Sequence, residues 1–484
     1  MPSSQKLTGL FIGAGASYET GMPLVWELTD ELKKWLTPAK LRALNLSWRA
    51  QGGGHPDIVI EDLASVLDRP EMHYESILGF LETQYRRSSP LQQEYHALYS
   101  WLVEMVYHIF RLRHLEWAGY IGKSIPYLEG IAKLAAANFP LWIFSLNHDV
   151  IIECVAAKYC IPLSCGFTDA VVSFPRRNRA GAKIGELKAQ TITAAELDRG
   201  MQFTQPGSNG INLLKIHGAL DVFTFRDGKD LVKLLPTEAT VAGVIETLRA
   251  ANDELIYIDP RSPGPVKATN EIAYADDAGE MQFLRRSLLA GAYKFDNRRS
   301  QVLPSRILDH FRSNVNFVST LVCIGYGFGD LHINQIIRDW LEFNAERQLE
   351  IVGPKVNSVP PFLLHLSPQV SLVDATATDY LDKATGIVRS KRELLEKRLG
   401  LWIRRSPNKV QAEKDLVNLL KEHQESVIAA SARKLATFPV RDGNLDFSVH
   451  GQTPEQVLQE LLEYNDNSYE NSLEAFLQTH TEHS

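Results

Sequence analysis

The feature that most constrains this chain is the segment Phe11–Ser17, which reads Phe-Ile-Gly-Ala-Gly-Ala-Ser. It follows a short apolar run, Leu7–Ile12, and precedes a helical pattern, Tyr18–Trp35. A strand, a glycine turn and a helix in this order bring backbone N–H groups and a helix N-terminus to a phosphate. The segment therefore predicts a nucleotide loop at the end of a buried strand.

Within this turn, Gly13 and Gly15 permit a tight bend and a close approach of the backbone to a ligand. Ser17 stands where a helix cap or a hydroxyl contact to a phosphate is expected. The fingerprint of hydride-transferring dehydrogenases has a further glycine three positions after Gly15, and Tyr18 occupies that position here. We therefore expect a nucleotide loop of another type, with a plain tight turn as the alternative.

Length and composition set outer limits on the function. The chain has 484 residues, of which 44% are hydrophobic and 23% charged, values that are ordinary for globular proteins of two to four domains. A net charge of −7 gives no overall attraction to nucleic acid or to anionic lipid. The most apolar stretch, Trp101–Phe110, is interrupted by Glu104 and His108 and is too short to span a membrane.

The cysteines argue against a structural zinc site and for a reducing compartment. The chain has four of them, and none forms a Cys-x-x-Cys pair. The first residues lack the apolar core of a signal peptide. We therefore expect a cytoplasmic protein that requires no metal. The cysteines are Cys154, Cys160, Cys165 and Cys323.

Several short apolar runs, each followed by a turn or a helical pattern, predict the buried strands of a parallel sheet. We expect an open α/β, Rossmann-like fold, in which ligand groups stand at the carboxyl ends of the strands. The predicted strands are Leu7–Ile12, Pro140–Ser145, Ile211–Ile216, Leu255–Ile258, Thr320–Ile324, Leu349–Val352 and Val370–Val373.

Between these strands, the patterns predict a large helical insertion over about 39–137 and a polar loop excursion over about 167–205. Residues 271–312 are expected to be helical. The main domain is expected to span 1–378. The remainder, 379–484, is expected to be a mainly helical appendage that serves oligomerisation or partner docking.

The second predicted strand is followed by polar residues at alternating positions: Ser145, Asn147 and Asp149. In an extended chain these side chains point to one side and predict a polar pocket. An amide and a carboxylate at this place can hold ribose hydroxyls and a carboxamide. The alternative is that Asn147 or Asp149 caps the helix predicted over Val150–Tyr159.

Two further strand ends carry candidate groups. His217 stands before a glycine and is a candidate general base, with an ordinary exposed histidine as the alternative. Lys215 could contact a phosphate or pair with a carboxylate. A second glycine turn contains Gly325 and Gly327 and could receive the other end of a dinucleotide, while Asp330 is expected to cap the next helix.

In this order, the four segments resemble the sirtuin-like family, and the similarity is greatest to bacterial sirtuin-like proteins of phage defence. The segments are Gly-Ala-Gly-Ala-Ser (13–17), Ser-x-Asn-x-Asp (145–149), Lys-x-His-Gly (215–218) and Gly-Tyr-Gly-Phe-Gly-Asp-x-His-Ile-Asn (325–334). The segment Ile58–Leu63 in the helical insertion is also similar to that group. The resemblance extends from about residue 7 to residue 375.

The resemblance implies an NAD+-binding cleft and a role for each matching residue. Asn147 would stand by the nicotinamide ribose, Asp149 near the carboxamide, and His217 would be the base at a ribose hydroxyl. The residues of the two glycine turns would line the cleft. At the pyrophosphate and nicotinamide ribose would stand Gly13, Ala14, Gly15 and Ser17, and at the adenosine half Gly325 and Gly327. Ser145 would belong to the same cleft.

Two departures from deacylating sirtuins favour cleavage of NAD+ by water. The four zinc-binding cysteines of the deacylases have no counterpart, and their Gly-Ile-Pro-x-Phe-Arg motif is replaced by Gly21–Trp26, which lacks the arginine. The resemblance thus implies an NAD+ hydrolase acting in abortive infection. The alternatives are a silent nucleotide-binding sensor and, less favoured, an NAD-dependent protein deacylase.

Relatives of this type work with a short Argonaute, with a DNA-translocating ATPase or with a cyclic-nucleotide signal, so the resemblance also implies that assembly or a partner controls the activity. We expect a homo-oligomer and a protein partner such as a short Argonaute or a DNA-translocating ATPase. No Walker A loop is present, so an ATPase would be a separate chain.

Overall fold

A computed structural model of the chain describes residues 7–225, 230–261, 264–288, 302–406, 408–441 and 444–481. The first compact unit ends at Gly386 and the second begins at Ile387. The first unit continues past residue 378 because Leu381 is buried in its core, and because Glu19 accepts hydrogen bonds from the backbone and hydroxyl of Thr378 at 2.9 and 2.7 Å.

Strands of the first unit are short, and most are buried on at least one face. In chain order they are β1 (Thr8–Ile12), β2 (Leu141–Ser145), β3 (Leu163–Ser164), β4 (Val171–Arg177), β5 (Lys183–Ile192), β6 (Ile211–Lys215), β7 (Val222–Phe225), β8 (Asp230–Leu234), β9 (Glu271–Ala275), β10 (Met281–Arg286), β11 (Thr320–Ile324), β12 (Gln348–Val352) and β13 (Val370–Val373).

Helices of the first unit cover these strands. They are α1 (Val25–Trp35), α2 (Pro38–Ala50), α3 (Asp57–Leu67), α4 (Tyr74–Arg86), α5 (Gln92–Glu116), α6 (Ala118–Ser124), α7 (Glu129–Ala137), α8 (Ile151–Lys158), α9 (Ala194–Arg199), α10 (Val241–Asp253), α11 (Val302–Asn314), α12 (Leu331–Phe343) and α13 (Ala377–Thr385). Short 3-10 turns span Ala14–Ser17, Ile125–Leu128, Val315–Phe317 and Pro361–Gln369.

A seven-stranded parallel sheet forms the centre of the unit, in the order β13-β12-β11-β1-β2-β6-β3. Alternate residues of β1 enter two different cores. Leu10 and Ile12 pack into the core that contains α1 to α7, whereas Phe11 packs against Phe311 and the core of α11 and α12. The chain is therefore α/β with a Rossmann-like parallel sheet covered by helices on both faces.

A second sheet is antiparallel, with six strands in the order β4-β5-β8-β7-β10-β9. Its core contains Leu187, Ala189 and Val232, which pack against Ala250 and Ala251 of α10. Leu187 and Ala189 are buried while Lys188 between them is exposed, an alternation that is typical of a half-buried strand.

The prediction of a loop excursion over about 167–205 was therefore wrong. This region holds β4, β5 and α9, and its basic residues stand on a sheet instead of a mobile loop. Arg176, for example, is paired with Glu254 at 2.6 Å, and Lys183 with Glu186 at 2.8 Å. The charges of these two residues are neutralised within the molecule.

The helix predicted over 271–312 and the strand predicted over Leu255–Ile258 are also wrong, at least in part. Residues 271–286 form the hairpin β9–β10 and not a helix; α11 begins only at Val302, and residues 289–301 lie outside the described part of the chain. The apolar run Leu255–Ile258 is not a strand. Leu255 and Ile256 are buried, but Ile258 makes only an isolated bridge to Pro265. The apolar run therefore marks buried residues that do not pair as a strand of a sheet.

The second unit is mainly helical. Leu395, Leu473 and Leu477 form its small core. A two-stranded ribbon followed by a 3-10 turn separates its last two helices. The elements are α14 (Lys391–Arg405), α15 (Lys409–Leu435), β14 (Val440–Arg441), β15 (Asn444–Leu445), the turn Phe447–His450 and α16 (Pro454–Thr481). Across the described ranges of both units, no helix combines the length and the apolar character needed to cross a membrane.

Candidate functional site

The candidate site lies at the carboxyl edge of the parallel sheet, where the direction of chain winding changes. From β1 the chain adds β2 and β6 on one side and later β11, β12 and β13 on the other. Open α/β sheets bind ligands in the crevice at such a switch point. All four segments singled out in the sequence follow strands of this central group, so the fold brings them to one edge.

The two glycine turns meet backbone to backbone. Gly13 donates its N–H to the carbonyl of Ile324 and Gly15 donates to the carbonyl of Gly325, both at 3.0 Å. A Cβ atom on Gly13 would lie 2.6 Å from the carbonyl oxygen of Gly325, and one on Gly325 would lie 2.4 Å from the backbone nitrogen of Ala16. These glycines therefore permit close packing of the turns, and the N–H groups of Gly13 and Gly15 bind carbonyls of the protein.

Gly327 and Gly329 differ from that group. Both are exposed, and a Cβ atom on either one would meet nothing within 4 Å. Ala14, at the start of the first turn, is partly exposed. The backbone that a ligand can reach is thus the outer part of the second turn and the tip of the first.

This difference gives a matched pair of variants. Gly325→Ala forces a methyl group into backbone atoms at a φ of +66°, so we expect it to destabilise the first unit by about 1–3 kcal/mol. Gly327→Ala adds its methyl group in open space and should leave the thermal unfolding midpoint nearly unchanged. Equal midpoints for the two variants would contradict the described packing.

The expected helix after the first turn begins later than predicted. Ala14–Ser17 is a 3-10 turn, and α1 starts at Val25. Ser17 therefore caps no long helix. Its hydroxyl oxygen instead accepts a hydrogen bond from the side-chain amide of Asn147, at 3.0 Å. The prediction that a helix N-terminus stands directly behind this turn was wrong, because seven residues, 18–24, separate the 3-10 turn from α1.

Asn147 holds the first turn to the end of β2. Its side-chain amide also donates to the carbonyl of Gly13, at 3.0 Å, and its backbone N–H donates to the hydroxyl of Ser145, at 3.1 Å. Asn147 is 8% exposed and Ser145 is 1% exposed. Asp149 caps the following helix, which was the alternative to a place in the pocket: its carboxylate accepts from the N–H of Ile151, at 3.1 Å, at the start of α8.

Lys215 supports the same loop from the neighbouring strand. Its ammonium group donates to the main-chain carbonyls of Asn147, at 3.4 Å, and of Asp149. It also lies 3.5 Å from the carboxylate of Glu153. Of the two roles left open for Lys215, the structure shows the carboxylate pair, with the added task of fixing two carbonyls beside Asn147.

Four buried ionic side chains form what we call the buried charge group: Glu153, Lys215, Asp221 and Lys233. Lys233 lies 3.1 Å from Glu153 and also pairs with Asp221, which joins β8 of the antiparallel sheet to α8 beside the site. Burial raises the pKa of Glu153, but the charges of Lys215 and Lys233 outweigh it, so the pKa lies below its ordinary value.

His217 follows β6 and is 4% exposed, so it is not an ordinary surface histidine. Its Nε2 atom lies 3.2 Å from Oδ2 of Asp330 in the second glycine turn. The ring of His148 is an aromatic neighbour of His217, with ring centres 6.4 Å apart, and His148 in turn packs edge-on against Phe110 of α5. The imidazole is thus positioned between two strand ends.

Asp330 is more than the expected helix cap. Its Oδ1 atom accepts from the N–H groups of His332 and Ile333, at 3.1 and 3.3 Å, while Oδ2 faces His217. The hydroxyl of Tyr326 accepts from the N–H of Asp330 at 3.3 Å. Burial and then the charge of Asp330 raise the pKa of Tyr326, which stays a neutral hydrogen-bonding group. Asp330 and His148 are site residues whose place in the cleft could not be predicted from the sequence.

The second turn also contains a strained backbone conformation. Phe328 has a φ of +55°, which is uncommon for a bulky residue, and its carbonyl accepts from the side-chain amide of Asn334 at 2.7 Å. The same Asn334 accepts from the hydroxyl of Tyr326 at 2.9 Å. The turn between β11 and α12 is therefore held in one conformation by side chains of the helix that follows it.

A cavity of about 450 Å³ lies between α9 and α11, and none of the strand-end residues described above lines it. Its charges are used within the protein: Arg306 pairs with Asp198 at 2.8 Å and donates to the carbonyl of Ala194, and His310 contacts the carbonyl of Leu197. No cluster of three or more metal-ligating side chains occurs in the part of the chain that the structure describes.

The structure therefore brings together the turn at 13–17, the loop 145–149, His217 and the turn at 325–330. Asn147 and His217 are on adjacent strand ends, but Asn147 binds the first turn and His217 faces the second. Asp149 caps a helix, and Gly13, Gly15 and Gly325 pack against protein. No protein-family model matches this chain, and no curated protein sequence matches it significantly.

Proposed function

We propose that the chain is a sirtuin-like NAD+ glycohydrolase, which converts NAD+ and water to nicotinamide and ADP-ribose. The observation that carries the proposal is the convergence of an amide, Asn147, and an imidazole, His217, on two touching glycine turns at the switch point of the sheet. Crevices of this kind are the usual ligand sites of open α/β sheets.

The charges at this edge favour a cationic reacting group. Both helices that begin here have a carboxylate at the N-terminus, Asp149 on α8 and Asp330 on α12. Each carboxylate takes the place that a phosphate would otherwise occupy. The nicotinamide ring of NAD+ is positively charged, and its loss develops positive charge on the ribose. Fixed negative groups stabilise such a transition state.

The proposed reaction needs no covalent enzyme intermediate. The bond between ribose C1′ and the nicotinamide nitrogen breaks, and nicotinamide leaves as a neutral molecule with the electron pair. Water forms the new bond to C1′, and His217 takes its proton and passes it to solvent. Asn147 is the group that would hold the ribose hydroxyls, with Lys215 fixing its backbone.

The reachable backbone fits the rest of the substrate. Gly327 and Gly329 face open space and leave room for the adenosine half and the pyrophosphate, with Ala14 at the opposite turn. Gly13, Gly15 and Gly325 serve indirectly, because they let the two turns touch. In this proposal only part of the glycine set contacts NAD+.

By its resemblance to sirtuin-like defence proteins, we further propose that the enzyme depletes NAD+ in infected bacterial cells and so stops growth. It would act in the cytoplasm. Such an activity must be controlled, and the helical layer α2–α7 and the second unit are the candidates for self-assembly or for docking a partner such as a short Argonaute or a DNA-translocating ATPase.

The test is the release of nicotinamide from NAD+ by the purified chain, together with cellular NAD+ during phage infection of bacteria that express it. We expect equimolar nicotinamide and ADP-ribose, or a fall of NAD+ on infection that requires His217. No nicotinamide from the purified chain and constant NAD+ in infected cells would contradict the proposal.

A binding module without turnover is the second candidate. The observation that favours it is the burial of the reacting groups: His217 is 4% and Asn147 8% exposed. A sensor would bind NAD+ with the same affinity whether or not His217 is present and would release no nicotinamide in either assay.

A further inference from the structure

We propose that Asp330 is the positioning residue of His217: it fixes the ring and decides which of the two imidazole nitrogens carries the proton. This inference rests on the proposed function, in which His217 takes a proton from water. It goes beyond it by assigning a role to a residue that would otherwise serve only to cap α12.

The carboxylate of Asp330 is itself held in place by the helix it caps. Oδ1 accepts from the first free N–H groups of α12, those of His332 and Ile333. Tyr326 adds a link to the backbone of Asp330, since its hydroxyl oxygen accepts from the N–H of Asp330 at 3.3 Å while its own proton goes to Asn334. Oδ2 is thereby aimed at His217 by a rigid frame, with Asp330 only 14% exposed.

The contact has a chemical consequence. Nε2 and Oδ2 are close but are not aligned as in a formed hydrogen bond. Because a carboxylate can only accept hydrogen bonds, a neutral imidazole that turns Nε2 toward it carries its proton on Nε2. Nδ1 of His217 is then the basic nitrogen. The same carboxylate, 3.2 Å from Nε2, would also stabilise the cationic ring once His217 has taken up a proton. An acid that orients a histidine base in this way supplies a large part of the activity of other enzymes.

The discriminating variant is Asp330→Asn. Asparagine caps helices as well as aspartate does, so Oδ1 can still accept from α12. Its NH2 group, however, is a donor and faces Nε2 of His217, which moves the proton to Nδ1 and removes the base. A residue that only caps α12 would tolerate this change. A positioning residue would not.

We expect Asp330→Asn to lower nicotinamide release by about 10²–10⁴-fold, mainly through kcat, with a thermal midpoint close to that of the unchanged chain. The matched control is Thr37→Ala, which removes the cap of α2 and should lower the midpoint without loss of release. Release by Asp330→Asn within about twofold of the unchanged chain would overturn the inference.

A readout that does not need activity comes from NMR of the full chain with ¹⁵N-labelled histidine, where His217→Ala identifies the signal of His217. We expect the Nε2–H tautomer in the unchanged chain and the Nδ1–H tautomer in Asp330→Asn. The same tautomer in both would overturn the inference. If the unchanged chain releases no nicotinamide, the proposed function fails while the NMR result still decides the role of Asp330.

Discussion

Replacing His217 by Ala is expected to lower nicotinamide release by about 10²–10⁴-fold and to leave NAD+ affinity within a few-fold. The imidazole of His217 is a group at the switch point that can take a proton from water near neutral pH, and its Nε2 atom lies 3.2 Å from Oδ2 of Asp330. The binding surface, in contrast, is mainly backbone at the two turns. Release is measured by chromatography of nicotinamide, and binding by calorimetry with NAD+.

The control for this variant is His365→Ala. His365 is half exposed and pairs with Glu342 on the surface, so its loss should change neither release nor binding. If His217→Ala keeps the activity of the unchanged chain, His217 is not the base. If it loses NAD+ binding as well as release, its role is to hold the substrate instead.

The second large effect is expected for Lys233→Met, which removes one cation from the buried charge group. Lys233 is 6% exposed and neutralises both Glu153 and Asp221. Its loss leaves Asp221 without this cation and Glu153 with Lys215 alone, at 3.5 Å. Breaking a buried ion pair on one side costs on the order of 3–5 kcal/mol, because the remaining charge stays buried.

Thermal unfolding and hydrogen exchange of β6 and β8 measure this loss. Lys188→Met is the matched control, since Lys188 is exposed on the neighbouring strand β5 and its replacement should change stability by less than about 0.5 kcal/mol. Replacing Asp221 by Leu in addition should restore part of the loss. Similar midpoints for Lys233→Met and Lys188→Met would contradict the role of the buried charge group.

The same group predicts a direction for acid unfolding. The pKa of Glu153 in the folded chain lies below its ordinary value of 4.5, so the unfolded chain binds the proton first. The stability that Glu153 contributes is present above that ordinary value and is lost as the pH falls through the lower, folded one. Burial raises the pKa of Asp221, the other carboxyl of the group, which therefore contributes in the opposite direction. Lys233→Met removes one cause of the lowered pKa of Glu153, so the stability that Glu153 loses in acid should become smaller, which unfolding free energies at neutral and acidic pH measure.

Six of the seven strands of the parallel sheet were predictable because they are short apolar runs with turns behind them, whereas β3, a strand of two residues, was not predicted. β1, β2, β6, β11, β12 and β13 all agree with predicted strands to within one residue at each end. The antiparallel sheet was not predicted, because β4 and β5 carry many charges and a regular alternation of buried and exposed residues is limited to a short part of β5. That alternation, as at Leu187 and Ala189, was the signal available in the sequence.

At the site, strand ends and residue types were predictable, but pairings were not. That Asn147 follows β2 and His217 follows β6 can be derived from the apolar runs before them. His217 follows β6 and Asp330 follows β11, and the two meet because the strands stand in the order β11-β1-β2-β6. Local sequence carries no information on that order. The same is true of the glycines: only the structure separates Gly325, which packs against backbone, from Gly327, which faces open space.

The most direct test of the NAD+ cleft is an experimental structure of the His217→Ala variant with NAD+, since this variant should bind the substrate without consuming it. We expect the nicotinamide ribose beside Asn147 and the adenosine half along Gly327 and Gly329. NAD+ bound elsewhere, for example in the cavity between α9 and α11, or no NAD+ at saturating concentration, would contradict the account.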